Sequence, residues 1–144
     1  MQEKVLLSPF YIIAATLVGL GDVLYLAYYQ YLNIVPSCAL GGCEIVLSSV
    51  YSKFLGVPLS YIGLVFYGYM LCLAILLMID PHSRALRWAA LLYTGFAFAL
   101  SLFFIFYIQL TLIHALCMYC ALSAITTFVL FSLSGWHYRA TRSI

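Results

Sequence analysis

The 48 residues LRWAALLYTGFAFALSLFFIFYIQLTLIHALCMYCALSAITTFVLFSL, Leu86 to Leu133, decide the fold. They are apolar almost without pause. A helix rising about 1.5 Å per residue crosses the hydrocarbon of a bilayer in around 20 residues, so this run is roughly twice what one crossing can use. It must turn back once. Its one cluster of polar side chains is Gln109, Thr111 and His114, which puts one span at about 86–110 and the next at about 117–135.

Upstream, Asp80-Pro81-His82-Ser83-Arg84 reads as a tight connection to the apolar run Val57 to Ile79, a span over about 57–79. Before it lies the polar, Gly-containing loop 33–56, and before that the run Phe10 to Leu32, interrupted only by Asp22, which gives a first span over about 9–32. That run exceeds the h-region of a secretory signal, and Met1-Gln2-Glu3-Lys4 carries no net charge, so it is expected to remain uncleaved. Composition agrees. Of 144 residues 67% are hydrophobic and 7% charged, where a soluble chain carries roughly 25% charged residues, so most of the surface must face membrane lipid. The expectation is an all-α integral membrane protein, a four-transmembrane-helix bundle forming a single membrane domain over 1–144. A net charge of +2 without a basic stripe excludes nucleic acid as a partner. Lys4, Arg84, Arg87, Arg139 and Arg142 fall on one side of this arrangement and only Lys53 on the other. The bias of positive residues toward the inside then makes both termini cytoplasmic, with loop 33–56 and the turn before Cys117 facing outward together.

Four of the five cysteines gather at that outer face: Cys38 and Cys43 in the loop, Cys117 and Cys120 where the last span begins. Cys72 stands alone at mid-depth, where a free cysteine packs as a small hydrophobe. The outer face also borders the compartment in which disulfides persist. Cys117-Met118-Tyr119-Cys120 opening a helix puts both sulfurs on one face, beside free N–H groups and the positive dipole end that favour a thiolate. Cys38 and Cys43 enclose Ala39-Leu40-Gly41-Gly42, whose two glycines would let a cysteine alternate between sulfur partners. After them Cys43, Val46, Leu47, Val50 and Phe54 share a narrow arc of a helical wheel. This predicts a short amphipathic helix lying as a lid across the outer end, bringing Cys43 near Cys117 and closing an apolar pocket over Cys120 that suits a flat lipid-soluble molecule. Asp22 is the one charge inside the hydrocarbon and His114 stands three residues before Cys117; both are candidates for a proton relay, with a buried hydrogen bond and an interfacial anchor as the respective alternatives. The same cysteines leave three other readings open: a structural zinc site, two structural disulfides, or a thiolate relay carrying a soft metal such as mercury or copper across the membrane.

The chain resembles the vitamin K epoxide reductase family. The likeness lies in Cys38, in Cys43-Glu44-Ile45-Val46-Leu47-Ser48-Ser49-Val50-Tyr51, in Pro58-Leu59-Ser60-Tyr61-Ile62-Gly63 with Phe66-Tyr67, and in Cys117-Met118-Tyr119-Cys120. It looks like a microbial member, which implies the inner (plasma) membrane of a bacterium with the cysteines facing the periplasm or exterior. The resemblance implies a quinone-dependent thiol–disulfide oxidoreductase that oxidises a thioredoxin-like (DsbA-like) protein and passes electrons to ubiquinone or menaquinone, supporting disulfide bond formation. Carried over by position, Cys38 exchanges with the partner, Cys43 relays to Cys117, and Cys120 faces the quinone. Ser49 matches the family's Ser/Thr near the pocket, and Val46, Leu47, Ile62, Phe66 and Tyr67 are expected to line it. Leu59 and Ala124 stand where animal members have the Asn and Tyr that bind the quinone carbonyls, so epoxide reduction is not implied. No fused thioredoxin-like domain is seen in these residues, so the redox partner is expected to be a separate protein.

Overall fold

The computed structural model describes residues 2–143. In chain order it holds α1 (Gln2–Tyr31), a short α2 (Cys43–Ser48), one tight turn at Val50–Ser52, the strands β1 (Lys53–Phe54) and β2 (Val57–Pro58), then α3 (Leu59–Ile79), α4 (Arg84–Phe103) with a wider helical continuation over Phe104–Ile113, and α5 (Met118–Arg142). Among the described residues four helices are long and apolar enough to cross a membrane: α1, α3, α4 with its continuation, and α5. The helices outrun the spans expected from sequence, starting at Gln2 rather than residue 9 and reaching Ile113 and Arg142 rather than 110 and 135. Hydropathy marks where hydrocarbon ends, whereas a helix continues through the polar interface until its backbone is capped or broken.

Helix α1 packs against both α3 and α5, and α4 packs against α5. The core between them contains Ile12, Val23, Tyr67, Met70, Ala74, Leu77 and Leu130. Small residues allow the helices to approach: a side chain at Gly19 would strike the Tyr67 ring, and one at Gly63 would strike Val23. The outward faces are as apolar as the core, with Leu17, Val65, Leu92, Phe96 and Ile125 all exposed, as a surface solvated by lipid requires. Pro9 lies inside α1 and cannot donate to the carbonyl of Val5. The Ser8 hydroxyl takes that carbonyl at 3.0 Å and also pairs with His137 Nδ1, which ties α1 to α5 at the end far from the cysteines. At the opposite end Ser60 bonds to Gln30, and the Tyr25 ring packs on Tyr119 at 5.3 Å.

The lid is shorter than the wheel predicts. Helix α2 stops at Ser48 because Ser49 is extended, with its N–H and hydroxyl both returned to the carbonyl of Val46. The chain then makes a hairpin pairing Phe54 with Val57, turning through Leu55 and Gly56 at positive φ. Val50 is 83% exposed and Phe54 63% exposed, so neither continues the apolar face that Cys43, Val46 and Leu47 begin.

Candidate redox site

One end of the bundle gathers four sulfurs. Cys38 and Cys43 form a disulfide with Cα atoms 5.9 Å apart, while Cys117 and Cys120 are free thiols. Cys43, Val46 and Cys117 are fully or almost fully buried in one apolar cluster, against which Cys38, Leu47, Phe104, Tyr119 and Cys120 pack. Gly42 accounts for the closeness of the loop: any β-carbon there would collide with the backbone of Leu116, immediately before Cys117. Gly41 at φ +69° adopts the left-handed conformation glycine tolerates, and its N–H bonds back to the carbonyl of Cys38 at 3.0 Å. The Cys43 N–H, opening α2, points at Cys38 Sγ at 3.3 Å.

Cys117 stands in the link just ahead of α5, at the N-cap position. The Cys120 thiol donates to it, and the backbone N–H groups of Cys120 and Tyr119 at the start of α5 add to that bond. Together these outweigh burial and bring the Cys117 thiol down to about 7. At neutral pH Cys117 is thus the more thiolate-like nucleophile of the pair.

Gln109 is the site residue that sequence reasoning used only as a turn marker. It is fully buried, and its Oε1 accepts the Cys117 N–H at 3.1 Å. Its backbone carbonyl accepts from both His114 and Ala115, closing the helical continuation. In that continuation the turns are wider than in an α-helix, as the Thr111 hydroxyl bond to the Phe106 carbonyl also shows, and such wide turns concentrate at functional sites. A glutamine in the middle of an otherwise apolar run, eight residues before Cys117, was the available signal. Gln109 also neighbours the Cys120 thiol, and among the described residues its Nε2 has no hydrogen-bond partner.

Asp22 is 7% exposed, and among the described residues neither of its carboxyl oxygens has a hydrogen-bond partner. It lies one turn of α1 from Gly19, which faces Tyr67, and one turn from Tyr25, which packs on Tyr119. The Tyr67 hydroxyl pairs with Ser123, one turn beyond Cys120, at 2.9 Å. Three expected residues are not among those packed around the buried sulfurs. Ile62 is exposed on α3, Phe66 stacks on Tyr93 at 4.8 Å, and His114 is exposed at the end of the wide turn at φ 57°. Ser49 caps α2. Cys72 is exposed on α3, outside the bundle interior.

The family model of the vitamin K epoxide reductase family matches residues 10–134. The chain is also similar to the thiol-disulfide oxidoreductase LTO1 of Arabidopsis thaliana, 32% identical over 120 residues. That alignment covers 78% of this chain and 32% of the plant protein, so the chain spans about a third of that relative's length.

Proposed function

The chain belongs to the vitamin K epoxide reductase family, and from that premise we propose that it is a membrane thiol–disulfide oxidoreductase that oxidises a thioredoxin-like protein and delivers the electrons to a quinone. The observation that carries this reading is the burial of the Cys38–Cys43 disulfide in one cluster with the Cys117 and Cys120 thiols. A closed tetrathiolate zinc site is disfavoured because two of the four sulfurs are bonded to each other. A soft-metal relay is disfavoured because Cys72 faces away from the interior.

In the proposed cycle a partner thiolate attacks Cys38, the Cys38–Cys43 bond breaks, and Cys43 leaves as a thiolate. The partner's second thiol then displaces Cys38, and the partner departs oxidised. Cys43 attacks Cys117 of a Cys117–Cys120 disulfide, releasing Cys120; Cys38 then attacks Cys43, releasing Cys117. Two electrons have now moved inward. The loop is again oxidised and the inner pair reduced, which is the arrangement described above. A quinone, ubiquinone or menaquinone, supplies an acceptor for two electrons and two protons, after which Cys117 and Cys120 close again.

Two polar groups at this end of the bundle fit such an acceptor: among the described residues Gln109 Nε2 is a donor, and Asp22 a carboxyl, without a hydrogen-bond partner. Asp22 is proposed to pass the thiol protons onward, and His114, exposed at the same end, to exchange them with water. Val46, Leu47, Ser49 and Tyr67 are proposed as the wall that holds the ring, with Leu59 and Ala124 offering it no hydrogen bond. The positive residues favour cytoplasmic termini with the cysteines outside, and a bacterial plasma membrane location is proposed from the family resemblance. The test mixes purified protein with a reduced thioredoxin-like protein and either quinone and follows quinone absorbance. Reduction that requires Cys38, Cys43, Cys117 and Cys120 is expected. No reduction with either quinone, together with stoichiometric binding of zinc, would overturn the reading.

A further inference from the structure

The opposite end of the molecule carries a second organised site that the redox reading does not use. The start of α4 and the end of α5 lie side by side there and bring together Arg84, Arg87, Arg139 and Arg142. Of the four side-chain carboxylates in the chain, Asp22 is inside the bundle and Glu44 is on α2. Only Glu3 and Asp80 remain to offset these four arginines and Lys4.

Two grooves flank this cluster. One, of about 570 Å³, is lined by Arg84, Arg87, Trp88, Tyr138, Thr141 and Arg142. The other, of about 660 Å³, shares Tyr138 and Arg142 and runs past Arg139 and Trp136 to Leu91, Phe128 and Phe131. Tyr138 is fixed between them, edge-on to Trp88 at 5.1 Å and under the Arg87 guanidinium at 5.7 Å. Arg87 is itself anchored, donating to the carbonyls of Ser83 and His82 at 3.3 Å each. From Arg142 to Phe128 the lining passes from guanidinium through interfacial aromatics to bare hydrocarbon over roughly 21 Å of helix. That is the order of chemistry along one phospholipid molecule, and the charge excess selects its sign.

We propose that these grooves bind an anionic glycerophospholipid, its phosphate among Arg84, Arg87, Arg139 and Arg142 and an acyl chain along Leu91, Phe128 and Phe131. The site is independent of the cysteines and of the proposed electron transfer. Basic clusters at the membrane surface attract anionic headgroups with a gain of roughly fivefold per arginine engaged.

Both tryptophans of the chain line the grooves, so their fluorescence reports occupancy directly. The full chain in detergent micelles is titrated with phosphatidylglycerol brominated on its acyl chains, and separately with phosphatidylcholine brominated in the same way. The anionic lipid should quench half the fluorescence at a mole fraction tenfold or more below that of the zwitterionic lipid. Arg139→Gln with Arg142→Gln should remove most of that preference while leaving quenching by phosphatidylcholine intact. Arg139→Lys with Arg142→Lys, which keeps the charge, should retain at least half of it. Equal quenching by the two lipids, or an unchanged preference in the glutamine pair, would overturn the proposal. So would loss of the preference in the lysine pair, or its abolition by millimolar inorganic phosphate, which would identify a site for a free anion.

Discussion

Removing the Cys120 sulfur should raise the pKa of its neighbour Cys117 by a calculable amount. The hydrogen bond from Cys120 is the largest influence lowering Cys117 to about 7, with the Tyr119 and Cys120 backbone N–H groups assisting and burial opposing. In Cys120→Ala the backbone donors remain and burial remains, so Cys117 should return to about 8.5 or higher, the range of an ordinary cysteine. A change of about 1.5 units corresponds to roughly 2 kcal/mol favouring the thiolate. At pH 7 the thiolate fraction should fall from about one half to about 3%. Intrinsic nucleophilicity rises with basicity, with a Brønsted slope of about 0.4–0.5, so attack on a disulfide at pH 7 should slow by only about three- to fourfold. The sign is fixed: below the midpoint Cys117 is protonated and exchange falls about tenfold per pH unit, and above it exchange levels off. The assay is thiolate absorbance near 240 nm against pH in a Cys38→Ser, Cys43→Ser, Cys72→Ser background, with Cys117→Ala as the blank. A midpoint that stays near 7 after Cys120→Ala would refute the assignment of the thiolate to that hydrogen bond.

Three further outcomes follow from the same geometry. Gly42→Ala should push the loop off Leu116 and slow transfer between the two cysteine pairs by about 10²-fold, the scale of an ångström displacement, while Cys38 and Cys43 still oxidise; rapid-quench thiol trapping checks it. Asp22→Asn should slow quinone reduction by about 10²-fold or more through loss of the proton-carrying group, with single-turnover exchange from the partner to Cys117 unchanged. Cys72→Ser should keep most of the turnover, because that thiol is exposed on the outside of α3; a loss as large as that of Cys120→Ser would return the metal relay to consideration.

What the amino-acid sequence discloses divides along physical lines. The run from Leu86 to Leu133 is too long for one crossing and too apolar to leave the membrane for long, so the number of spanning helices could be read directly. The cysteines were legible as two groups at one end because the span boundaries fix their depth. The lid was overextended because a helical wheel assumes an unbroken helix, whereas Ser49 returns its own N–H and hydroxyl to Val46 and ends it. On α3 every face is apolar, so no pattern told Phe66, which packs on Tyr93, from a residue facing the cysteines. Gln109 was visible as a polar interruption, but its aim at Cys117 depends on the wide turns of Phe104–Ile113, which no periodicity announces.

The central claim, that the loop pair can hand electrons to the pair opening α5, is tested most directly by trapping the exchange itself. In Cys38→Ser with Cys72→Ser and Cys120→Ser, the remaining Cys43 and Cys117 lie in one buried cluster. Under a mild oxidant they should form an intramolecular disulfide in nearly every molecule, read by mass spectrometry of the joined peptides. Recovery of both as free thiols, or only as bonds between molecules, would contradict the account.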